Sequence, residues 1–195
     1  MAFPTFFDIT EASKNAKQYL IDEVQSGNRV RPIATFYRLD MPIFTVKFPL
    51  TETHEDRQKS FAQLAWLNGS LRGDGVLFAI DSAIPLTTHD GETYNQDMFL
   101  IFFSNKMGAF ADPICYIHSK DTNTVEWVDR DIKPEDIMDS QQQIMLLLAS
   151  QFFLAYHTVP WEPYVDYLKE KGFEFTFHEP FNNELVGFAQ SYLHN

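Results

Sequence analysis

The feature that most constrains the fold of this chain is a series of four strand-like apolar runs in its middle. The runs are VLFAIDSAI, MFLIFFS, AFADPICYIH and TVEWVDRDI, which begin at Val76, Met98, Ala109 and Thr124. They are rich in β-branched and aromatic residues, and turn-rich loops separate them at a spacing typical of consecutive antiparallel strands. The sequence therefore predicts an antiparallel β-meander.

Helical patterns lie on both sides of this predicted meander. Residues 10–26 and about 54–71 have apolar residues at helical spacing, and residues 33–48 between them predict a hairpin. Residues 134–159 predict a long helix, of which residues 144–156 are apolar on nearly all sides and should pack on the sheet. The expected fold class is α+β: an N-terminal helix and hairpin, a meander packed against a long buried helix, and a helical C-terminal addition.

The chain length of 195 residues favours one domain with an appendage. We expect residues 1–159 to form an α+β core domain and residues 160–195 to form an addition packed on it, including an alternating strand near residues 173–179. The addition is rich in aromatic residues: Trp161, Tyr164, Tyr167, Phe173, Phe175, Phe177, Phe181, Phe188 and Tyr192. These rings either cover the core of the same chain or pair two copies of it, so a homo-oligomer formed through the addition is an open alternative.

The cysteine count and the hydropathy pattern bear on the compartment. The single cysteine, Cys115, cannot form an intrachain disulfide and lies in an apolar run, where we expect a buried, inert thiol. The opening residues MAFPTFFDIT have no basic residue before their apolar part, unlike a secretory signal. The stretch from residue 144 to 156 has 13 residues, whereas a membrane span needs about 20. We expect a soluble cytoplasmic protein, in the producing cell or in a host cell, without membrane association.

Acidic residues are concentrated in the second part of the chain, and the net charge is −12. Residues 1–72 hold nine Lys or Arg against eight Asp or Glu, whereas residues 73–195 hold six against nineteen. Phosphate backbones bind to basic patches, so direct binding of nucleic acid is not expected. An acidic surface attracts cations, and the predicted partner is a basic protein surface.

The acids of this predicted binding face lie around the loops of the meander. Residues 73–105 contain five acids and no Lys or Arg, and residues 121–139 contain seven acids against two bases. If both sets surround one sheet, their potentials add. The residues predicted to contact the partner are Asp74, Asp81, Asp90, Glu92, Asp97, Asp129 and Asp131. The alternative interpretation is that the charge serves solubility alone.

The segment THDGET places a histidine among acids and raises the alternative of an enzyme. His89 could act as a general base beside Asp90 or Glu92, and His118 could join them in a mixed nitrogen and oxygen metal site. These four residues are the candidates for a small hydrolase or a metal-dependent enzyme. However, Asp90 and Gly91 form a common turn pair, and no two histidines have the spacing that places two ligands on one face of a single element. We therefore expect a non-catalytic protein without a cofactor or a bound metal.

The run from GDGVLFAIDSAI to DMFLIFF resembles uncharacterised small proteins carried by tailed bacteriophages. The resemblance covers under half of the chain and includes no motif of known chemistry. It implies a phage-encoded source and no particular activity. Three hypotheses about function follow: an acidic cytosolic interaction protein, the small enzyme described above, and a structural component that assembles with itself through the aromatic addition.

Overall fold

The structure is a computed structural model, and it describes residues 9–38, 41–50, 54–87, 90–105, 108–129 and 160–179. Within these ranges the helices are α1 (Ile9–Gln25), α2 (His54–Ser70) and α3 (Glu162–Glu170). The strands are β1 (Ile33–Arg38), β2 (Met41–Lys47), β3 (Gly75–Thr87), β4 (Thr93–Asn105), β5 (Gly108–Ser119), β6 (Thr124–Val128) and β7 (Glu174–Phe177).

All seven strands belong to one antiparallel sheet with the order β6-β5-β4-β3-β1-β2-β7. Strands β3 to β6 are neighbours in chain order, so the predicted meander and the α+β fold class are confirmed. The N-terminal hairpin of β1 and β2 extends the sheet beyond β3, and β7 pairs with β2 at the edge. The sequence pattern predicts these elements but not their union in a single sheet.

Side chains that alternate along the central strands enter two separate cores. On one face of the sheet, Leu77, Phe99 and Ile101 pack beneath the apolar stripe of α1. On the other face, Phe78 and Phe102 pack with α2 and α3. Because helices cover both faces of the sheet, the sequences of these strands are continuous apolar runs and do not alternate between apolar and polar residues.

The described part of the C-terminal addition belongs to the same sheet and core. Val165, Leu168 and Phe173 are buried in the core that α2 covers. The other aromatic rings that pack against this core are Trp161, Tyr164, Tyr167, Phe175 and Phe177. Six of the nine aromatic residues of the addition therefore make contacts within the monomer. The other three, together with the predicted helix at residues 134–159, lie outside the described residues.

In the connection between α2 and β3, the backbone at Gly73 lies close to the Asn68 side chain. The Gly73 N–H donates to the carbonyl oxygen of Asn68 at 2.9 Å, and the Asn68 side chain is buried. A Cβ atom at position 73 would lie 1.7 Å from Asn68 Oδ1, so the turn requires glycine there.

Cys115 is buried in β5 and is not part of a disulfide, which confirms its predicted environment. None of the helices in the described ranges combines the length and the apolar character that a membrane crossing requires.

Candidate functional site

The outer halves of β3 and β4 continue as a two-stranded ribbon past the residues at which β1 and β5 pair with them. The two strands, of 13 residues each, pair with one another from Gly75 to Thr87 of β3. However, β1 pairs with β3 only as far as Ala79, and β5 pairs with β4 only up to Met98. Within the described part of the chain, residues 81–87 and 93–97 thus pair only with each other. We call residues 81–87 and 90–97 the acidic ribbon.

Three of the predicted partner-binding acids are exposed on the acidic ribbon. Asp90 and Glu92 lie near its tip, and Asp97 lies on β4 closer to the sheet. Gly91 has φ +84°, a left-handed conformation that suits glycine and agrees with the turn expected at this position. Residues 73–105 contain no Lys or Arg that could offset these charges within the hairpin.

At the root of the ribbon, Asp81 accepts a hydrogen bond from a tyrosine of β5. The Tyr116 hydroxyl donates to Asp81 Oδ1 at 2.8 Å. Partial burial raises the pKa of Asp81, the Tyr116 hydrogen bond opposes this rise, and the charge of Asp97 adds to it. Burial, followed by the hydrogen bond to Asp81, raises the pKa of Tyr116. The phenol is therefore a neutral donor to this carboxylate at neutral pH.

The remaining predicted acids lie away from the ribbon. Asp74 precedes β3 and is partly buried, at the strand end opposite the ribbon tip and about 40 Å from it by strand length. Asp129 is exposed after β6, three strand spacings or about 14 Å from β3. Asp131 lies outside the described residues. The structure therefore groups Asp81, Asp90, Glu92 and Asp97 on one hairpin, with Asp129 across the sheet.

Of the two histidines in the enzyme hypothesis, only His118 lies in the described residues. Its Nε2 is 3.1 Å from Asn123 Oδ1, in the turn between β5 and β6. Asn123 in turn donates to the carbonyl oxygen of Gln25 at 2.8 Å, so this contact connects the turn to the end of α1. The described residues contain no group of three or more His, Cys, Asp or Glu side chains arranged to hold a metal ion. His89, the central residue of the enzyme hypothesis, is not among them.

A cavity of about 320 Å³ lies at the root of the acidic ribbon. It adjoins β3 at Phe78 and Ile80, where the pairing with β1 ends. Its apolar lining includes three aromatic rings, from Phe48, Phe61 and Phe78, whose centroids are 5.7 to 6.3 Å apart. Arg29 and Asp81 contribute the charged groups of its lining.

Sequence reasoning selects Asp81 but misses Arg29 and Tyr116. Arg29 lies in the loop between α1 and β1, and Tyr116 lies two strands away from Asp81. These residues come together at the root of the ribbon only when the sheet folds. No local sequence motif indicates that they are close to one another. The sequence indicates only the face of the sheet on which Tyr116 lies. The alternation of side chains along β5 places its ring on the same face as Ile114, beneath α1.

Comparisons of the chain with protein-family models, with curated proteins and with solved structures give no match. The similarity to phage proteins therefore stays a prediction, and the function has to be inferred from the site itself.

Proposed function

We propose that the chain is a non-catalytic interaction protein that binds a basic protein surface through its acidic ribbon. The observation that carries this proposal is the position of Asp90, Glu92 and Asp97. All three are exposed on the β3–β4 hairpin, beyond the residues at which β1 and β5 pair with it, and the hairpin has no Lys or Arg. A partner can therefore approach a group of exposed charges that all have the same sign.

The charges elsewhere on the described surface differ from those of the ribbon. Near α1 and β2, Lys47 is 3.0 Å from Glu23, and Arg31 pairs with Glu174 at the start of β7. On α2, Lys59 pairs with Glu55 at 2.7 Å. Opposite charges offset each other in these places, whereas the charges of the ribbon have one sign. Charges that serve solubility alone do not have to be grouped by sign. Attraction of a cationic partner does require a group of negative charges in one place.

The physical consequence is electrostatic steering. Clustered exposed charges increase the rate of association with an oppositely charged surface, and salt reduces this effect because the Debye length is about 8 Å at physiological ionic strength. Exposed charges contribute little to folding stability. Their removal should therefore weaken association without unfolding the chain.

The test compares two variants that have the same change in net charge. One reverses the ribbon acids, as Asp90→Lys, Glu92→Lys and Asp97→Lys. The other reverses three exposed acids on the helices, as Asp22→Lys, Asp166→Lys and Glu170→Lys. The probe is a fluorescent deca-lysine peptide, and its anisotropy is measured over a range of salt concentrations.

We expect the ribbon variant to lose about tenfold or more in affinity and most of its salt dependence, and the helix variant to lose much less. Equal losses in both variants would show that only net charge matters and would contradict the proposal. Retention of full affinity by the ribbon variant would contradict it as well.

A further inference from the structure

The cavity at the root of the acidic ribbon has both an apolar wall and charged groups of opposite sign. Phe48, Phe61 and Phe78 form an aromatic wall, and Arg29 and Asp81 line the same space. Its volume of about 320 Å³ is near the lower end of the range for ligand pockets, about 300 to 1,000 Å³. A space of this size fits a small molecule rather than a large cofactor.

Arg29 is available to bind a ligand. It is exposed, and among the described residues its guanidinium has neither an ion-pair partner nor a hydrogen bond. The neighbouring Arg31 differs, because it pairs with Glu174 and donates to the Phe48 carbonyl oxygen at 2.6 Å. A free guanidinium beside an apolar wall suits a carboxylate, which it can bind through two parallel hydrogen bonds.

Asp81 has acceptor capacity left for a cationic donor. It accepts one hydrogen bond from Tyr116 and another from the Ser82 backbone N–H. A carboxylate has about four acceptor positions, so these two hydrogen bonds do not use all of them. A ligand ammonium group placed there would also offset the repulsion between Asp81 and Asp97.

The combination of groups excludes simpler ligands. An uncharged apolar molecule would contact the aromatic wall but would pair with neither Arg29 nor Asp81. A simple anion would pair with Arg29 but not with Asp81, and a simple cation would pair with Asp81 but not with Arg29. A molecule that has both charges and an apolar body can pair with Arg29 and with Asp81 and can contact the aromatic wall.

We propose that this cavity binds a small zwitterion with an apolar body, of the class of free α-amino acids with an aromatic or branched side chain. Arg29 binds the carboxylate, Asp81 binds the ammonium group, and the three phenylalanines contact the apolar body. This site is separate from the partner-binding function of the ribbon tip and does not depend on it.

The test uses three probes that share a phenylethyl body and differ in charge. L-phenylalanine has both groups, 3-phenylpropionate lacks the amine, and phenethylamine lacks the carboxylate. Their binding to the full chain is measured by calorimetry and by chemical-shift changes in NMR spectra. We expect L-phenylalanine to bind about tenfold more tightly than either analogue, since each charged hydrogen bond contributes on that order.

Two variants test which protein side chain binds each charged group of the ligand. Arg29→Gln should remove the advantage of L-phenylalanine over phenethylamine, and Asp81→Asn should remove its advantage over 3-phenylpropionate. Lys120→Gln, which removes an exposed positive charge in the turn after β5, is the matched control for Arg29 and should change neither ratio. The reversed-charge ribbon-tip pair Asp90→Lys and Glu92→Lys should still bind L-phenylalanine, which separates this site from the proposed partner site.

The proposal fails if no probe gives saturable binding up to about 10 mM, or if all three probes bind equally well. It also fails if Arg29→Gln weakens all three probes by the same factor. If Asp81→Asn does not fold, the binding of the three probes to Arg29→Gln still tests the proposal, because Arg29 is exposed and its replacement leaves the core unchanged.

Discussion

The inner and outer halves of the β3–β4 hairpin are made from the same two strands but have different surroundings. Their pairing runs without a shift in register from Gly75 opposite Asn105 to Thr87 opposite Thr93. In the inner half nearly every side chain of both strands is buried, whereas the outer half alternates between partly buried and exposed positions on β3. The backbone pairing is thus continuous, and the change in composition from apolar to polar marks where the sheet core ends.

This contrast explains why a projecting ribbon can persist. Two strands without further support are only marginally stable in water. The inner half, held between helical layers on both faces, fixes the register of the outer half. The outer half is then free to carry side chains that serve binding rather than folding, among them Asp90, Glu92 and Asp97.

The largest expected difference between the two halves is in the cost of removing an apolar side chain. Ile101 is fully buried on β4, and Ile84 is partly exposed on the ribbon. We expect Ile101→Ala to lower the free energy of unfolding by about 2 to 5 kcal/mol, because it leaves a cavity in a packed core. We expect Ile84→Ala to lower it by about 1 kcal/mol or less. Urea unfolding followed by circular dichroism measures both changes, and similar losses would show that the ribbon belongs to the cooperative core.

The inner half is also the part of the hairpin that the sequence predicts best. The runs beginning at Val76 and Met98 are long and apolar because helices cover both faces of the sheet, and that burial is visible in composition alone. By contrast, the pairing of β7 with β2 joins Phe177 to Phe44 across more than a hundred residues. No local pattern records such a contact, so the extent of the sheet could not be predicted.

The candidate site shows the same division. Asp81, Asp90, Glu92 and Asp97 can be selected from sequence because they share one segment that has no Lys or Arg. The cavity requires Arg29 from one loop and three phenylalanines from three other parts of the chain: the segment after β2, α2 and β3. The set of residues that line the cavity results from the fold. Only the structure distinguishes Arg29, which lines the cavity, from Arg31, which pairs with Glu174.

An intermediate effect is expected at the junction of the two halves, where Tyr116 donates to Asp81. Tyr116→Phe removes this hydrogen bond and should lower the free energy of unfolding by about 1 to 2 kcal/mol at neutral pH. Because the hydrogen bond lowers the pKa of Asp81, the variant should raise that pKa further above its ordinary value. NMR titration of the Asp81 carboxyl group measures the shift.

The pH dependence of this variant has a defined sign. Asp81 has a raised pKa in the folded chain, so its protonation favours the folded state, and this contribution grows as the pH falls through the folded pKa. It is complete below the pKa of the unfolded chain, which is near the ordinary aspartate value of 3.8. The gain is larger in Tyr116→Phe, so its stability deficit should shrink on acidification. Tyr94→Phe, at an exposed tyrosine of the ribbon, should show neither the deficit nor the trend, and a constant deficit in Tyr116→Phe would contradict the assignment.

The smallest expected effect on stability is at Asp97, which is exposed on the ribbon but close enough to Asp81 to affect it. Asp97→Asn should change the free energy of unfolding by no more than about 0.5 kcal/mol, since exposed charges contribute little. It should nevertheless lower the pKa of Asp81, because the negative charge of Asp97 helps to raise it. Glu92→Gln removes the same charge near the ribbon tip, farther along the strand, and should leave the pKa of Asp81 nearly unchanged because solvent screens the more distant charge. Equal shifts in the two variants would mean that Asp81 responds to the total charge of the ribbon rather than to its neighbour, and the junction would then be electrostatically part of the outer half.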